Sequence, residues 1–337
     1  MRAAYLNTRV SLFRSRLWPP DRVSGLIDAS DQALPGLLAQ QGLGALASGY
    51  ADGDERSLEA RIVAILLDEA RILLRPLTGA ARQFLVYWVE RFEVSNVKSL
   101  IRAKMAGDGA AATAARLLDL GYFTHLDAEA LMRAEDVVEL MRRLERTAYA
   151  EIVRNARQAF EEGHDPFMLD ATLDRAYYDG LIRRARAVGP DIGAGFGRLL
   201  ADLVDRLNLV WLLRYRFNYD LPPAQVYYLL LTPGYRLTPT LLRSLVGRDS
   251  VAAVLAGLPA ELARPLAGAA TIPEIATRLE RLALAQARTL LGHPGHPLAR
   301  ALAYLILRES GLRDLRGILR GRRLRLPVAE IRQVAAL

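Results

Sequence analysis

Apolar residues along this chain recur at the three- and four-residue spacing of α-helices. Over residues 58–74, the apolar positions Leu58, Ile62, Ile65 and Leu66 fall on one helical face, with Glu and Arg residues between them. Strict alternation of apolar and polar residues between tight turns, which is typical of strands, is almost absent. The pattern therefore predicts an all-α chain.

The same spacing predicts further long and short helices, several of them bounded by glycine or proline. They cover residues 80–105, 137–160, 170–188, 196–218, 222–231, 273–291 and 297–322. Gly107 supplies a stop for the first of these helices. Pro327 opens a final predicted helix over residues 327–336.

One motif occurs three times, about a third of the chain apart. Its copies begin at residues 96, 208 and 314, so successive copies lie 112 and 106 residues apart. Each copy starts with Asn or Asp, has apolar residues at +1, +4 and +5, and has cations at +6 and +8. The first residues are Asn96, Asn208 and Asp314, and the cations are Arg102, Lys104, Arg214, Arg216, Arg320 and Arg322. Such spacing indicates three copies of one domain-sized unit, which we place at 1–126, 127–245 and 246–337.

The offsets within the motif separate two kinds of cation. Positions +1, +4, +5 and +8 share one helical stripe, so the +8 cation ends an apolar seam at the last turn, where the helix dipole favours positive charge. A structural role explains most of this pattern. The +6 cation lies off the stripe in every copy, and three equivalent cations indicate a common axis or a common partner. The leading Asn or Asp is interpreted as a polar anchor for a neighbouring helix end.

The third unit lacks the later helices of the other two, whereas about fifty residues precede the first unit. Residues 24–26 of this N-terminal segment loosely resemble residues 244–246 of the second unit. If the segment completes the third unit in space, the three units close into a ring or funnel in which the two termini meet.

Composition narrows the class of protein. A hydrophobic content of 52% excludes a disordered chain, and the lack of cysteine excludes disulfides and thiolate metal sites. No apolar stretch reaches the ~18 residues of a membrane span, and the N-terminus has no clean signal-peptide core, so we expect a soluble cytoplasmic protein. The net charge of +8 would suit an anionic partner, but nearly all of the cations are arginine, which is more typical of genomic composition bias.

Motifs for catalysis, metals and cofactors are not found in the sequence. No glycine-rich phosphate loop occurs, and His293 and His296 lie in a proline-rich turn that does not form a two-histidine helical face. We therefore expect no enzyme site and no cofactor. Two alternatives remain open: an arginine-rich helical nucleic-acid-binding module, suggested by a pI of 9.9 and the cluster between Arg316 and Arg325, and a helical enzyme whose site is assembled from distant residues.

Several segments resemble one known family. They are residues 5–10, 96–98, 173–178, 205–208 and 304–322, and residues 315–321 look like the family's Asn-Leu-Arg-x-Ile-x-x-Gly-Lys signature. Over essentially its whole length the chain resembles the component of V/A-type rotary ATPases that is known as the C subunit in bacteria and archaea and as the d subunit in eukaryotes. The third copy departs from the family pattern at Gly311, Asp314 and Arg322, where the family usually has Glu, Asn and Lys.

The resemblance implies a pseudo-threefold helical funnel without catalytic activity of its own. One face would receive the central-stalk shaft subunits of the D and F type, and the other would seat on the membrane ring of proteolipid subunits, with one copy per complex. It also implies a peripheral position at the cytoplasmic face of the membrane and no nucleic-acid partner. The six cations of the motif are the residues expected at these interfaces.

Overall fold

A computed structural model describes residues 3–51, 55–163, 165–232 and 235–334 of the chain. Over these residues the protein is built from α-helices, two short 3₁₀ turns and connecting loops, with no β-strand. The all-α prediction is confirmed.

The N-terminal segment contributes four helices, which are α1 (Ala3–Arg14), α2 (Pro20–Asp28), α3 (Leu34–Gln40) and α4 (Gly44–Ala51). For the structure, a unit is taken to begin at the long helix that precedes each motif helix, a grouping separate from the predicted division at 1–126, 127–245 and 246–337. On this grouping the first unit contains α5 (Glu55–Leu74), α6 (Gly79–Ala106), α7 (Ala110–Ala114), α8 (Ala128–Met132), α9 (Val137–Leu144) and α10 (Ala150–Gly163).

The second unit repeats this succession as α11 (Pro166–Ala187), α12 (Ala194–Phe217), α13 (Pro223–Leu229), α14 (Pro239–Val246), α15 (Val251–Ala256) and α16 (Ala260–Leu266). The third unit has α17 (Ile272–Gly292), α18 (Pro297–Arg323) and α19 (Val328–Val334). The 3₁₀ turns are Gly121–Phe123 and Pro190–Ile192.

Local sequence signals set the ends of the long helices. Gly107 ends α6 in the left-handed conformation (φ 72°), and its backbone N–H donates to the carbonyls of Ala103 and Lys104, as predicted from its position. At the start of α11, the Asp165 side chain accepts from the backbone N–H of Phe167, and Pro166 occupies the first helical position.

The prediction of a single helix over residues 137–160 is wrong. Two helices, α9 and α10, are separated by a turn in which Thr147 Oγ1 donates to the carbonyl of Leu144 (2.6 Å) and accepts from the N–H of Tyr149 (3.2 Å). The turn directs Tyr149 into the core, where its hydroxyl donates to the buried carboxylate of Glu93 on α6. A tertiary contact therefore overrides the local helical pattern.

Contacts between the long helices run from each unit to the next. Helix α6 packs on α11, α12 packs on α17, and α18 packs on α5. Charged contacts reinforce two of these pairs: Lys98 Nζ lies 2.8 Å from both carboxylate oxygens of Asp174 between α6 and α11, and Arg308 binds Glu69 between α18 and α5. Each unit therefore contacts both others through the same type of helix pair.

The N-terminal helix α1 packs along α18, at the opposite end of the sequence. Arg300 Nη1 donates to Asn7 Oδ1 (2.7 Å), and Arg308 Nη1 donates to the carbonyl of Arg16 (2.8 Å). Leu6, Val10 and Phe13 bury the apolar face of α1. The N-terminal segment thus lies against the third unit.

Candidate functional site

The first residue of the repeated motif binds the backbone of a loop in two of the three units. Asn208 is fully buried; its Nδ2 donates to the carbonyl of Leu231 (3.0 Å), and its Oδ1 accepts from the N–H of the same residue (2.8 Å). Asn96 makes the same pair of bonds to Leu118, each of 2.8 Å. A primary amide is the side chain that can both donate to and accept from one peptide group in this way. The corresponding stretch of the third unit, at residues 335–337, lies outside the described residues.

A buried carboxylate lies three residues before each of these asparagines, and sequence reasoning missed it. Glu93 Oε1 accepts from the N–H groups of His125 (2.6 Å) and Leu126 (2.9 Å). Asp205 Oδ1 accepts from the N–H of Tyr235 (3.1 Å) and the N–H of Leu237 (3.2 Å). The only signal in the sequence is an acidic residue at the −3 offset in two copies, since the third copy has Gly311.

The +8 cations bind carbonyl groups at the end of a short helix. Lys104 Nζ donates to the carbonyl of Met132 at the end of α8 (3.4 Å), and Arg216 Nε donates to that of Val246 at the end of α14 (2.9 Å). Arg322 Nη1 donates to the carbonyls of Leu26 (2.9 Å) and Ile27 (2.8 Å) near the end of α2. The last carbonyls of a helix lack intrahelical partners and carry partial negative charge, so each cation satisfies and stabilises them.

These bonds show that α2 occupies in the third unit the place of α8 in the first and α14 in the second. A similar side-chain-to-backbone bond follows in all three places, at the start of α9, at the start of α15 and in the turn that leads into α3. Asp136 Oδ1 accepts from the N–H of Glu139, Ser250 Oγ from that of Ala253, and Ser30 Oγ from that of Ala33. The N-terminal segment therefore supplies the short helices that the third unit lacks in its own sequence.

The +6 cations, in contrast, are exposed at all three positions: Arg102, Arg214 and Arg320. Arg102 pairs with Asp170 on α11, yet its side chain keeps 59% of its accessible surface. No side-chain hydrogen bond or ion pair of Arg214 is seen within the part of the chain that the structure describes. The two cations of the motif thus separate into an internal position, +8, and a solvent-facing position, +6.

Apolar side chains are exposed three to five residues after these cations in the chain, near the C-terminal end of each motif helix. Met105, Tyr219 and Leu324 are 37%, 54% and 56% exposed, respectively. Tyr219 stacks on the ring of Phe167, with 4.2 Å between the ring centroids. Large apolar groups next to arginine are typical of the residues that contribute most to protein–protein binding.

The carboxyl group of Asp314, the first residue of the third motif copy, has a perturbed pKa. Its half-buried position raises the pKa of the carboxyl from 3.8 to about 6, and the negative charge of Glu280 adds to this effect, while Arg313 opposes it. The two asparagines at the equivalent positions are neutral, so the third unit differs from the others in holding a titratable group there.

A cavity of about 180 Å³ between the units is lined by residues of all three. Across it, Arg91 of α6 pairs with Glu309 of α18 (2.6 Å), and Arg313 of α18 pairs with Glu280 of α17 (2.7 Å). Arg206 of α12 also lines the cavity. Its wall is therefore charged as well as apolar.

The described residues hold neither a cluster of metal ligands nor a membrane-spanning helix. No group of three or more His, Asp or Glu side chains there is arranged to hold a metal ion. None of the described helices combines the length and the apolar character that crossing a bilayer would require.

Comparison with known proteins gives a consistent result over nearly the whole chain. The family model described as ATP synthase (C/AC39) subunit matches residues 6–334. The C subunit of the A-type ATP synthase of Methanocaldococcus jannaschii is 23% identical over 342 residues, which cover 98% of this chain and 85% of that protein. The protein of the same name from Methanosarcina barkeri is 24% identical over 94% of this chain and 88% of its own length. That of Methanothermobacter thermautotrophicus is 31% identical over a shorter stretch, which covers 50% of this chain and 44% of the relative.

Proposed function

Because the chain belongs to the family of ATP synthase (C/AC39) subunits, we propose that it is the non-catalytic connector of a V/A-type rotary ATPase. In this role it joins the central-stalk shaft subunits, of the D and F type, to the proteolipid ring of the membrane sector. It links ATP hydrolysis or synthesis to proton or sodium transport without hydrolysing ATP itself. One copy per complex lies peripherally at the cytoplasmic face of the membrane and needs no cofactor.

The observation that carries this proposal is the threefold recurrence of an exposed arginine and an exposed apolar residue near the C-terminal ends of α6, α12 and α18. These helices share the same internal +8 contact, and the long helices of successive units pack in the cycle α6–α11, α12–α17 and α18–α5. Helices related in this way present equivalent ends around a common axis in a ring or funnel. Such an arrangement suits a partner that is itself arranged around an axis.

Charge complementarity supports an anionic partner for this surface. Arg102, Arg214 and Arg320 would meet carboxylates on the loops of the proteolipid ring or an acidic lipid surface, either of which attracts cations at close range. The charged wall of the cavity between the units, with Arg91, Glu309 and Arg206, supports contact with the tip of the shaft.

A connector that transmits torque has to resist deformation, and the contacts between units supply this resistance. The Lys98–Asp174 pair fastens the first unit to the second, and the Arg308–Glu69 pair fastens the third to the first. Close-packed interiors have low compressibility and therefore transmit strain instead of absorbing it. The division into units at 1–126, 127–245 and 246–337 remains a prediction.

The test is charge reversal of the three +6 arginines, Arg102→Glu, Arg214→Glu and Arg320→Glu, together in one variant. The purified chain should keep its helical content, because all three side chains are exposed. In the complex, we expect loss of co-purification with the proteolipid ring or ATP hydrolysis that no longer drives ion pumping.

A matched control reverses Arg133, Arg154 and Arg248, which are also exposed but lie outside the motif. It changes the net charge by the same amount and should leave coupling intact. Normal coupling in the +6 variant, or equal loss in both variants, would remove the proposed role of the +6 cations. Recovery of the tagged wild-type chain from solubilised membranes without shaft or ring subunits would remove the connector function itself.

The nucleic-acid-binding alternative makes a different prediction. An arginine-rich module would bind duplex or single-stranded nucleic acid with an affinity that falls steeply with salt, in proportion to the phosphates contacted. Family membership favours the connector, and we expect no such binding at physiological ionic strength.

A further inference from the structure

A surface cleft of about 680 Å³ lies between α8, α9 and the turn that follows α9. This volume is within the range of small-molecule sites, which is about 300–1,000 Å³. Ala130 and Leu131 form an apolar part of its lining. The rest of the lining is rich in cations, namely Arg142, Arg143 and Arg146.

Two of these cations are only weakly engaged within the protein. Arg142 lies in the last turn of α9 and Arg146 lies two residues beyond the end of that helix, and both are exposed. The carboxylate paired with Arg142 is that of Glu161, at 3.8 Å, which is beyond hydrogen-bond distance. No side-chain hydrogen bond or ion pair of Arg146 is seen among the residues described here. Both guanidinium groups can therefore bind a ligand without breaking a strong internal bond.

The carboxylates in the cleft, in contrast, are already satisfied. Glu139 accepts from Arg143 Nε (3.0 Å) and from the backbone N–H of Glu135, and these bonds hold its pKa below the usual range. Asp127 caps α8 by accepting from the N–H of Ala130 (3.0 Å). Their negative charges are partly neutralised where they lie, so they oppose an incoming anion less than free carboxylates would.

Arg143, the third arginine of the lining, is held in place by a backbone contact. Arg143 Nη1 donates to the carbonyl of Ala130 (2.8 Å), which fixes the guanidinium between α8 and α9. The exposed imidazole of His125 and the hydroxyl of Thr147 complete the polar lining. The guanidinium of Arg143 is thus held in place, whereas those of Arg142 and Arg146 are exposed and can reorient toward a ligand.

The fold does not require these arginines, because the other two units lack them. When the sequence is aligned at the capping residues Asp136 and Ser250 and the turn residue Ser30, Arg142, Arg143 and Arg146 correspond to other residue types. These are Ala256, Gly257 and Ala260 in the second unit and Gly36, Leu37 and Gln40 in the third. Attraction to the helix dipole explains a single cation in the last turn of α9. It does not explain three cations around a cleft in one unit of three.

We propose that this cleft binds a small phosphate-bearing anion. Guanidinium groups match pairs of phosphate oxygens with parallel hydrogen bonds, and Arg142 and Arg146 both line this one cleft. The apolar lining at Ala130 and Leu131 accommodates the organic body of the ligand. The phosphate can belong to a soluble organic polyphosphate or to a lipid headgroup. This inference does not depend on the connector function.

The test is calorimetric titration of the isolated full chain with pyrophosphate and with ATP, at about 150 mM salt so that nonspecific attraction is screened. We expect saturable binding at one site. The double variant R142A/R146A should weaken it by about tenfold or more, because two charge-assisted contacts are lost. The control R154A/R248A removes the same charge from exposed positions elsewhere and should bind as the wild type does.

A parallel sedimentation experiment with phosphatidylglycerol vesicles distinguishes the two sources of phosphate. Binding of pyrophosphate and ATP in solution assigns a soluble ligand, whereas binding to vesicles alone, lost in R142A/R146A, assigns a headgroup. If the alanine variant does not fold, R142K/R146K, which keeps the charge but lacks the guanidinium forks, should still weaken binding. The proposal is overturned if none of the three probes binds saturably, or if the cleft and control variants weaken binding equally.

Discussion

Arg308 and Glu69 form a bidentate ion pair inside the protein: the Nε and Nη2 atoms of the arginine each lie 3.2 Å from a carboxylate oxygen of the glutamate. The two residues are 5% and 3% exposed. Tyr304 donates to the same carboxylate (2.5 Å), and so does Arg16 Nη1 (3.1 Å). One carboxylate therefore joins the turn after α1, which holds Arg16, to α5 of the first unit and α18 of the third.

Replacement of Glu69 by alanine should destabilise the protein by about 3–5 kcal/mol, because it leaves the buried charge of Arg308 without a partner. Denaturant unfolding followed by circular dichroism measures this change. Glu59→Ala is the control: it removes a pair with Arg316 (2.8 Å) that also joins α5 to α18 but is solvent-exposed, and it should cost less than about 1 kcal/mol. Similar effects of the two substitutions would show that the contact between α5 and α18 is stabilised by apolar packing instead.

Asn208→Ala should cost about 2–4 kcal/mol of unfolding free energy. The substitution removes two hydrogen bonds and leaves the buried N–H and carbonyl of Leu231 unsatisfied. The matched control is Asn155→Ala on the exposed face of α10, for which we expect a change within about 0.5 kcal/mol. Thermal and denaturant unfolding of both variants measure the loss of unfolding free energy. A loss below about 1 kcal/mol in Asn208→Ala would contradict the anchor role.

Much of the helical framework can be predicted from local signals. Gly107 and Pro297 lie at helix ends in the sequence and in the structure. The repeat of an Asn-led motif is also visible in the sequence, because the residues that anchor loops and cap helices are the same types in different units. The ends of these helices and the motif depend on residues that are near in the sequence, so the sequence pattern predicts them.

The parts that could not be predicted depend on partners distant in the chain. The break before α10 depends on Tyr149 reaching Glu93, and the ion pair of Arg308 depends on a glutamate 239 residues away. The +6 and +8 cations differ in role for the same reason, since the +8 side chains bind carbonyls of helices that periodicity alone does not bring close. For Arg322, that helix lies at the other end of the chain.

Asp314→Asn should stabilise the protein at neutral pH. Unfolding returns the carboxyl from a pKa of about 6 toward 3.8, so the native state holds the proton more tightly, and its stability falls as pH rises from about 4 to 6. The full shift corresponds to ~3 kcal/mol, and partial exposure reduces the expected gain at pH 7 to about 1–2 kcal/mol.

Unfolding free energies of the wild type and Asp314→Asn, measured between pH 4 and pH 7, check this expectation. The difference should be smallest near pH 4 and largest at pH 7. The substitution Asp249→Asn, at an exposed carboxylate, is the matched control. A difference between wild type and Asp314→Asn that does not vary with pH would mean that the carboxyl titrates normally.

Arg322→Ala should loosen the N-terminal segment without unfolding the core. The arginine donates to the carbonyls of Leu26 and Ile27 and to the carboxylate of Asp31 (2.7 Å), so its loss leaves the end of α2 without these partners. Charge-assisted bonds of this kind contribute about 1.5–3 kcal/mol. Their loss should raise the equilibrium constant for the opening of α2 by roughly 10- to 100-fold. Amide hydrogen exchange over α2, compared with that of α12, measures this opening.

Two variants serve as controls. Arg322→Lys should retain part of the protection, since Lys104 fills the equivalent position in the first unit. The exposed Arg325→Ala should leave exchange unchanged. Unaltered exchange of α2 in Arg322→Ala would mean that apolar packing alone holds the N-terminal segment on the third unit.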